Sequence, residues 1–248
     1  ADIESKIEEA KDNLDNIVDY TIRFYENIKT KYGKGRERKT EIRNFDNISA
    51  AAVAANNEKL YVKKEEGFVC TGDGLKREKD KDAYEFVCDC SDLDDIIVFH
   101  ENGTYMVTKL QSKLFVGQHV IHVDVFRKND DRTTYNAVYR DGKAGGANYV
   151  KRFAVTSMTR DKEYDLTQGK PESKVLYFTA NPNGEAEIIK VQLKPKLKMK
   201  KAVFDYDFAQ LAVKGRASRG NLLSKQPVKQ ITKHDDGVST LEARDIWY

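Results

Sequence analysis

Residues able to do chemistry fall into two sets here. The first is a surplus of lysine and arginine: residues 145–234 carry 18 of them against 8 aspartates and glutamates, in a chain whose formal net charge is only +3. Residues 1–144 run the other way, 24 against 28, and the last fourteen residues add 1 against 4. Cations gathered in one half either neutralise a polyanion or form a well-solvated surface. The second set is a scatter of potentially reactive side chains that never assemble. Cys70, Cys88 and Cys90 sit in apolar runs with no CxxC pair and no histidine at ligand spacing, so they read as reduced, partly buried thiols rather than a metal site. Asp92-Leu-Asp-Asp95 precedes an apolar run and reads as turn chemistry. Gly142-Lys-Ala-Gly-Gly146 lacks the spacing and the Lys-Ser/Thr of a phosphate loop. His100, His119, His122 and His234 have no acid–base partner in sequence, and the 13 tyrosines lie mostly in strand-like runs. No catalytic residue, metal or cofactor is expected of this chain.

The elements that must present the cations are legible from periodicity. Five units repeat an apolar β-forming run, a turn holding a glycine, and a second run, with turn glycines at Gly67, Gly103, Gly142, Gly184 and Gly220, spaced 36, 39, 42 and 36 residues apart. A period in this range marks a repeat architecture. One such unit cannot bury its apolar face alone, so five should stack about an axis as an all-β, five-bladed propeller-like ring. The run Thr240–Tyr248, with the only tryptophan, Trp247, is the candidate closing strand. Two stretches interrupt the pattern: a charged loop at 73–82, and Lys194-Pro-Lys-Leu-Lys-Met-Lys-Lys201, which reads as an outer strand with its lysines on one side.

The opening segment has a different period. Ile3, Ile7, Ala10, Leu14, Ile17, Thr21, Phe24 and Ile28 alternate steps of four and three, a heptad seam that predicts a helix over 1–32 packed along a partner helix. Gly33 ends it. The expected organisation is a coiled-coil helix end at 1–33, a polar linker at 34–44 and the β-domain at 45–248. A lone seam with no second helix to receive it reads as one arm of a longer α-hairpin, hence as part of a larger polypeptide. The 248 residues include no apolar stretch of membrane-spanning length and no opening leader, which sets the expectation of a cytoplasmic protein with no membrane partner.

Three passages together resemble the C-terminal region of the A subunit of bacterial type IIA topoisomerases. Lys31-Tyr-Gly-Lys-Gly-Arg-Glu-Arg-Lys-Thr-Glu-Ile42 is similar to that family's exit from its coiled-coil arm; the glycine-turn units resemble its blades; and Val213-Lys-Gly-Arg-Ala-Ser-Arg-Gly-Asn-Leu-Leu-Ser-Lys-Gln-Pro-Val228 resembles its "KxGxxxRG" repeats. The resemblance implies a β-pinwheel, a propeller variant that exchanges strands between neighbouring blades and binds and bends duplex DNA on its rim. With duplex binding as the expectation, the basic residues of the later half expected to make the contacts are Lys151, Arg152, Lys190, Lys194, Lys196, Lys198, Lys214, Arg216, Arg219, Lys225 and Lys229. These would act by phosphate neutralisation and counterion release, with affinity that falls steeply in salt. The resemblance further implies a non-catalytic part of an ATP-dependent isomerase whose A subunit is a homodimer. The catalytic core and the B subunit would be its partners, with Mg²⁺ and ATP handled through the B subunit. Where gyrase A subunits carry a Gln-Arg-Arg-Gly-Gly-Lys-Gly box, this chain has Gly72-Asp-Gly-Leu-Lys-Arg-Glu-Lys-Asp-Lys-Asp-Ala-Tyr84, so it sides with topoisomerase IV, the decatenating branch, over a gyrase wrapping domain. A protein-binding propeller is the rival from another class, and a Trp-Asp dipeptide in each repeat, its usual mark, is missing. A propeller hydrolase would need carboxylates or histidines converging on the axis, and none recur at the strand starts.

Overall fold

The computed structural model describes residues 2–34, 57–196, 199 and 201–239. It divides into two compact units, Ala1–Ile48 and Ser49–Tyr248. In the first, the heptad seam runs through two helical segments, α1 (Asp2–Asp15) and α2 (Ile17–Tyr32), rather than one. Asn16 makes the break: its backbone leaves the helical region at φ −113°, ψ 43°, while its side-chain amide donates to the Asp12 carbonyl at 3.2 Å. Asparagine competes in this way with the helical hydrogen-bond ladder. Gly33 caps α2, donating to the Lys29 carbonyl. Ile3, Ile7, Leu14 and Ile17 on the seam are all exposed, and no residue of α2 is buried. The expected linker lies almost wholly outside the described residues.

The described residues of the second unit form four sheets. β1 (Glu58–Lys63), β2 (Phe68–Thr71), β3 (Glu85–Cys90) and β6 (Lys113–Phe115) form the first, in the order β3-β1-β2-β6. β4 (Asp95–His100), β5 (Thr104–Lys109), β7 (Val120–Phe126) and β10 (Glu163–Asp165) form the second, ordered β10-β5-β4-β7. The third takes β8 (Thr134–Arg140), β9 (Asn148–Ala154), β11 (Lys174–Asn181), β14 (Lys214–Gly215) and β15 (Asn221–Ser224), with β14 and β15 both on the open side of β9. The fourth is β13 (Val203–Asp207), β12 (Glu185–Leu193) and β16 (Val228–Ser239). A short helix, α3 (Gly72–Lys76), and a 3-10 turn at Lys81–Ala83 fill the charged loop of the first sheet.

Strand order follows one rule. After each hairpin, a later strand returns to the preceding sheet: β6 pairs with β2, β10 with β5, and β14 and β15 with β9. Neighbouring sheets are thereby stitched to each other. The rule also revises the repeat count. The unit around Gly220 builds no sheet of its own; its strands complete the third, so the described residues hold four sheets where five blades were expected. No strand pairing joins the first sheet to the fourth among the described residues, and the proposed closing strand 240–248 lies outside them.

Packing explains why central strands read as solid apolar runs. On β4, Ile96 and Val98 enter a core shared with Leu60, Val62 and Val69 of the first sheet, while Ile97 and Phe99 enter one shared with Tyr135, Ala137 and Phe153 of the third. On β8, Val138 turns instead to Ile189, Val191 and Phe208 at the fourth sheet. Sheets two and three are therefore covered on both faces, and every residue of β8 from Thr134 to Tyr139 is buried. Phe99 centres the middle core, its ring centroid 4.7 Å from Phe178, 4.9 Å from Tyr135 and 5.1 Å from Tyr105.

Candidate nucleic-acid interface

The eleven cations singled out from the sequence part into three groups. Lys151 and Arg152 lie on β9, the central strand of a doubly covered sheet, and are only 3% and 4% exposed. The Lys151 ammonium donates to the carbonyls of Leu166 (3.2 Å) and Arg216 (2.5 Å) and sits 4.8 Å from the Phe153 ring centroid. Burial pushes its pKa down to about 8, opposed by the charge of Asp165. The Arg152 guanidinium donates to the carbonyls of Gly184 (2.8 Å) and Leu211 (3.4 Å). Burial lowers its pKa too, with Glu187 and Asp207 acting against the shift. Glu187 is itself fully buried and accepts from Asn136, Tyr177 and Thr179. Lys151 and Arg152 are thus interior ties between sheets rather than phosphate contacts, correcting the sequence expectation. Alternation along β9 cannot expose either one when both faces of the strand are covered.

The second group stands on the turn from β14 to β15, Gly215-Arg-Ala-Ser-Arg-Gly220. Ser218 N–H donates to the Gly215 carbonyl at 3.0 Å, and Gly220 N–H to the Tyr139 hydroxyl at 3.2 Å. A Cβ on Gly220 would lie 2.6 Å from the Val150 carbonyl oxygen, so the close approach to β9 demands glycine. Arg219 is exposed; it donates to the Tyr149 hydroxyl at 2.6 Å, its Cζ 4.9 Å from that ring's centroid. Arg216 is half-buried over Tyr164, with Cζ 4.2 Å from the ring centroid. Lys214 is exposed on β14.

The third group gathers at the fourth sheet. Lys190 is exposed on β12 between buried Ile189 and Val191, opposite Asp205 on β13 and Thr232 on β16. Lys194 N–H donates to the Pro227 carbonyl at 2.8 Å, which brings Lys194 beside the turn flanked by exposed Lys225 and Lys229. Lys196 is exposed as well, and Lys198 lies outside the described residues. The Asn148 amide ties that turn to the third sheet by donating to the carbonyls of Ser224 (3.4 Å) and Gln226 (2.7 Å). Lys214, Arg216, Arg219, Lys225 and Lys229 therefore lie along one path of the chain that passes from the third sheet to the fourth.

Among the described residues, none of Lys190, Lys194, Lys196, Lys214, Lys225 and Lys229 is ion-paired to a carboxylate within 4.0 Å. Two features escaped the sequence reading. One is the tyrosine pair Tyr149 and Tyr164 beneath the arginines, which carries no local signature because strand residues far apart in sequence supply the rings. The other is that lysines on the remaining edge of the third sheet face acids, as Lys170 does Asp141 (2.8 Å) and Lys174 does Glu101 (2.7 Å). Of the scattered reactive side chains, His100, Cys70 and Cys90 are buried and Cys88 and His122 partly so, whereas His119 and His234 are exposed beside Glu65 and Asp205. His100 is buried, its Nε2 2.9 Å from the Val116 carbonyl, and His122 packs among Phe99, Tyr135 and Phe178. Burial raises the Cys70 and Cys90 thiols to about 11 and Cys88 to about 12. Among the described residues no cluster of three or more His, Cys, Asp or Glu could hold a metal, and no helix is long and apolar enough to cross a membrane.

Comparison with known proteins adds three findings. A family model described as the topoisomerase C-terminal domain of Bacteroidota matches residues 59–235. The A subunit of DNA topoisomerase 4 from Borreliella burgdorferi is 25% identical over 231 residues, covering 92% of this chain and 33% of that protein. The chain thus spans about a third of the length of that relative. A crystal structure of the C-terminal domain of DNA topoisomerase IV superposes loosely, at TM-score 0.43 and 10% identity, over 79% of this chain and 64% of that one.

Proposed function

The chain belongs to the topoisomerase C-terminal domain family, and from that premise we propose that it is the non-catalytic DNA-binding and DNA-bending part of a type IIA topoisomerase A subunit of the topoisomerase IV kind. It captures a duplex segment and presents it to the catalytic core for strand passage and decatenation. The observation that carries this reading is the basic path of Lys214, Arg216, Arg219, Lys225 and Lys229, which has no acid partner among the described residues and is flanked by Lys190 and Lys194. Unpaired surface cations are free to exchange counterions for phosphates, which yields affinity without base choice. Because the path crosses from one sheet to the next, duplex held along it follows an arc. Bending costs of order 1–6 kcal/mol, which several phosphate contacts must offset.

The reading extends to the fold and the partners. The returning strands support a pinwheel, whose fifth blade would need residues beyond the described ones. The core and the B subunit, an A-subunit homodimer, ATP and Mg²⁺ handled through the B subunit, and a cytoplasmic, nucleoid-associated setting all belong to the whole enzyme this reading assigns. A mobility-shift titration of linear duplex at several salt concentrations tests it. Tight binding at low salt that weakens steeply with added salt is expected; no binding at low salt, or salt-insensitive binding, overturns it.

A further inference from the structure

Arg216 and Arg219 sit three residues apart on one tight turn, and each guanidinium rests against a tyrosine from a different sheet: Tyr164 of β10 in the second, Tyr149 of β9 in the third. Arginine on a turn is ordinarily a mobile side chain whose ordering costs entropy on binding. Here the order is built in beforehand. Arg219 spends one of its donors on the Tyr149 hydroxyl at 2.6 Å, and the guanidinium's remaining donors are not used by any described protein acceptor. The turn backbone is fastened at both ends as well, by the Lys151 ammonium on the Arg216 carbonyl and by Gly220 N–H on the Tyr139 hydroxyl. The ring of Tyr149 stacks in turn on Tyr139, centroids 5.6 Å apart, so the platform under Arg219 is itself anchored in the sheet.

We infer that Tyr149 and Tyr164 are positioning residues: they hold the two guanidiniums in a fixed pair on a pinned turn, so that both engage a nucleic-acid backbone as one preorganised grip. An arginine plane can stack through its face while its edge donates to phosphate, which lysine cannot do. The inference rests on the DNA-binding reading above and assigns its strongest contact. It also gives the second and third sheets a shared role at the site, since Tyr164 reaches it only because β10 returns to the second sheet.

A double-mutant cycle on the whole chain tests it. Tyr149→Leu and Tyr164→Leu are each expected to weaken duplex binding roughly two- to fivefold, the loss that follows from an exposed cation–π contact. Tyr164→Phe, which keeps the ring, should bind as the parent does. In an Arg216→Ala/Arg219→Ala background the same leucine substitutions should cost nothing further, because their effect passes through the arginines. Equal losses in both backgrounds overturn the inference and leave the DNA reading standing; absence of duplex binding by the parent chain overturns both. Nitrogen-15 relaxation of the two arginine Nε–H groups supplies a readout independent of DNA. Restricted motion in the parent and release in the leucine variants support the clamp, and freely mobile guanidiniums in the parent overturn it.

Discussion

Four lysines at the first sheet and the cations running from Lys214 to Lys229 live in opposite electrostatic settings. At the first sheet the four have an acid beside them: Lys63 with Glu66 (2.6 Å), Lys64 with Glu85 (2.5 Å), Lys76 with Asp73 (2.7 Å) and Lys113 with Glu78 (2.7 Å). Along the path from Lys214 to Lys229 the described cations have tyrosine rings, at Arg216 and Arg219, or solvent. Exposed ion pairs contribute at most about 1 kcal/mol to stability, so the first arrangement does little beyond cancelling charge. The second leaves a field uncancelled, and only that can attract a polyanion from a distance. Lysine count distinguishes neither setting; pairing does.

The contrast can be broken in order of effect. Arg152→Ala should be the most damaging change, about 3–5 kcal/mol in urea unfolding, because it leaves the buried carbonyls of Gly184 and Leu211 without their donor and removes the positive charge near fully buried Glu187; an exposed counterpart, Lys64→Ala, should cost under about 1 kcal/mol. Next, reversing Arg216, Arg219 and Lys225 to glutamate should lower duplex affinity on the order of a hundredfold and flatten the salt slope by about 0.9 for each phosphate no longer neutralised. The same reversal at Lys63, Lys64 and Lys113 should shift affinity by no more than about threefold. If both triples behave alike in a mobility-shift titration, pairing is not what separates the two regions.

Smaller effects sharpen the picture. Lys151 has a folded pKa of about 8, below the roughly 10.4 of a free lysine, so between those values the unfolded chain holds the proton more tightly. Stability from this group is complete above about 10.4 and is lost as pH falls toward 8. Wild type should therefore gain about 1–2 kcal/mol relative to Lys151→Met when thermal unfolding is followed from about pH 8 to about pH 10; a constant difference would mean that the ammonium is not desolvated. Last, neutralising Lys190 or Lys229 singly should weaken duplex binding only about two- to fivefold, uniformly across sequences.

Much of the fold was readable because its signals are local. Gly67, Gly103, Gly142 and Gly184 do take left-handed backbone, φ between 63° and 92°, at the turns that their spacing marked. Gly220 belongs to the same spacing for another reason, a close approach to Val150, and the repeat it marks joins the third sheet instead of founding a fifth. Spacing reports a turn, not which sheet its strands will join. The helix seam shows the same limit, since periodicity alone gave no sign that Asn16 interrupts it.

Composition and order of residues determined that this chain makes β-hairpins and that its positive charge lies in the later half, because strand propensity, turn chemistry and net charge are properties of neighbouring residues. Only the tertiary structure decided which cations are available. Lys151 and Arg152 look like Lys190 in sequence and are buried because segments from elsewhere in the chain cover both faces of β9, while Arg216 and Arg219 gain their tyrosines from strands of two sheets. Availability depends on what covers or pairs a side chain from a distance along the sequence, and that is set by strand exchange, which no local pattern encodes.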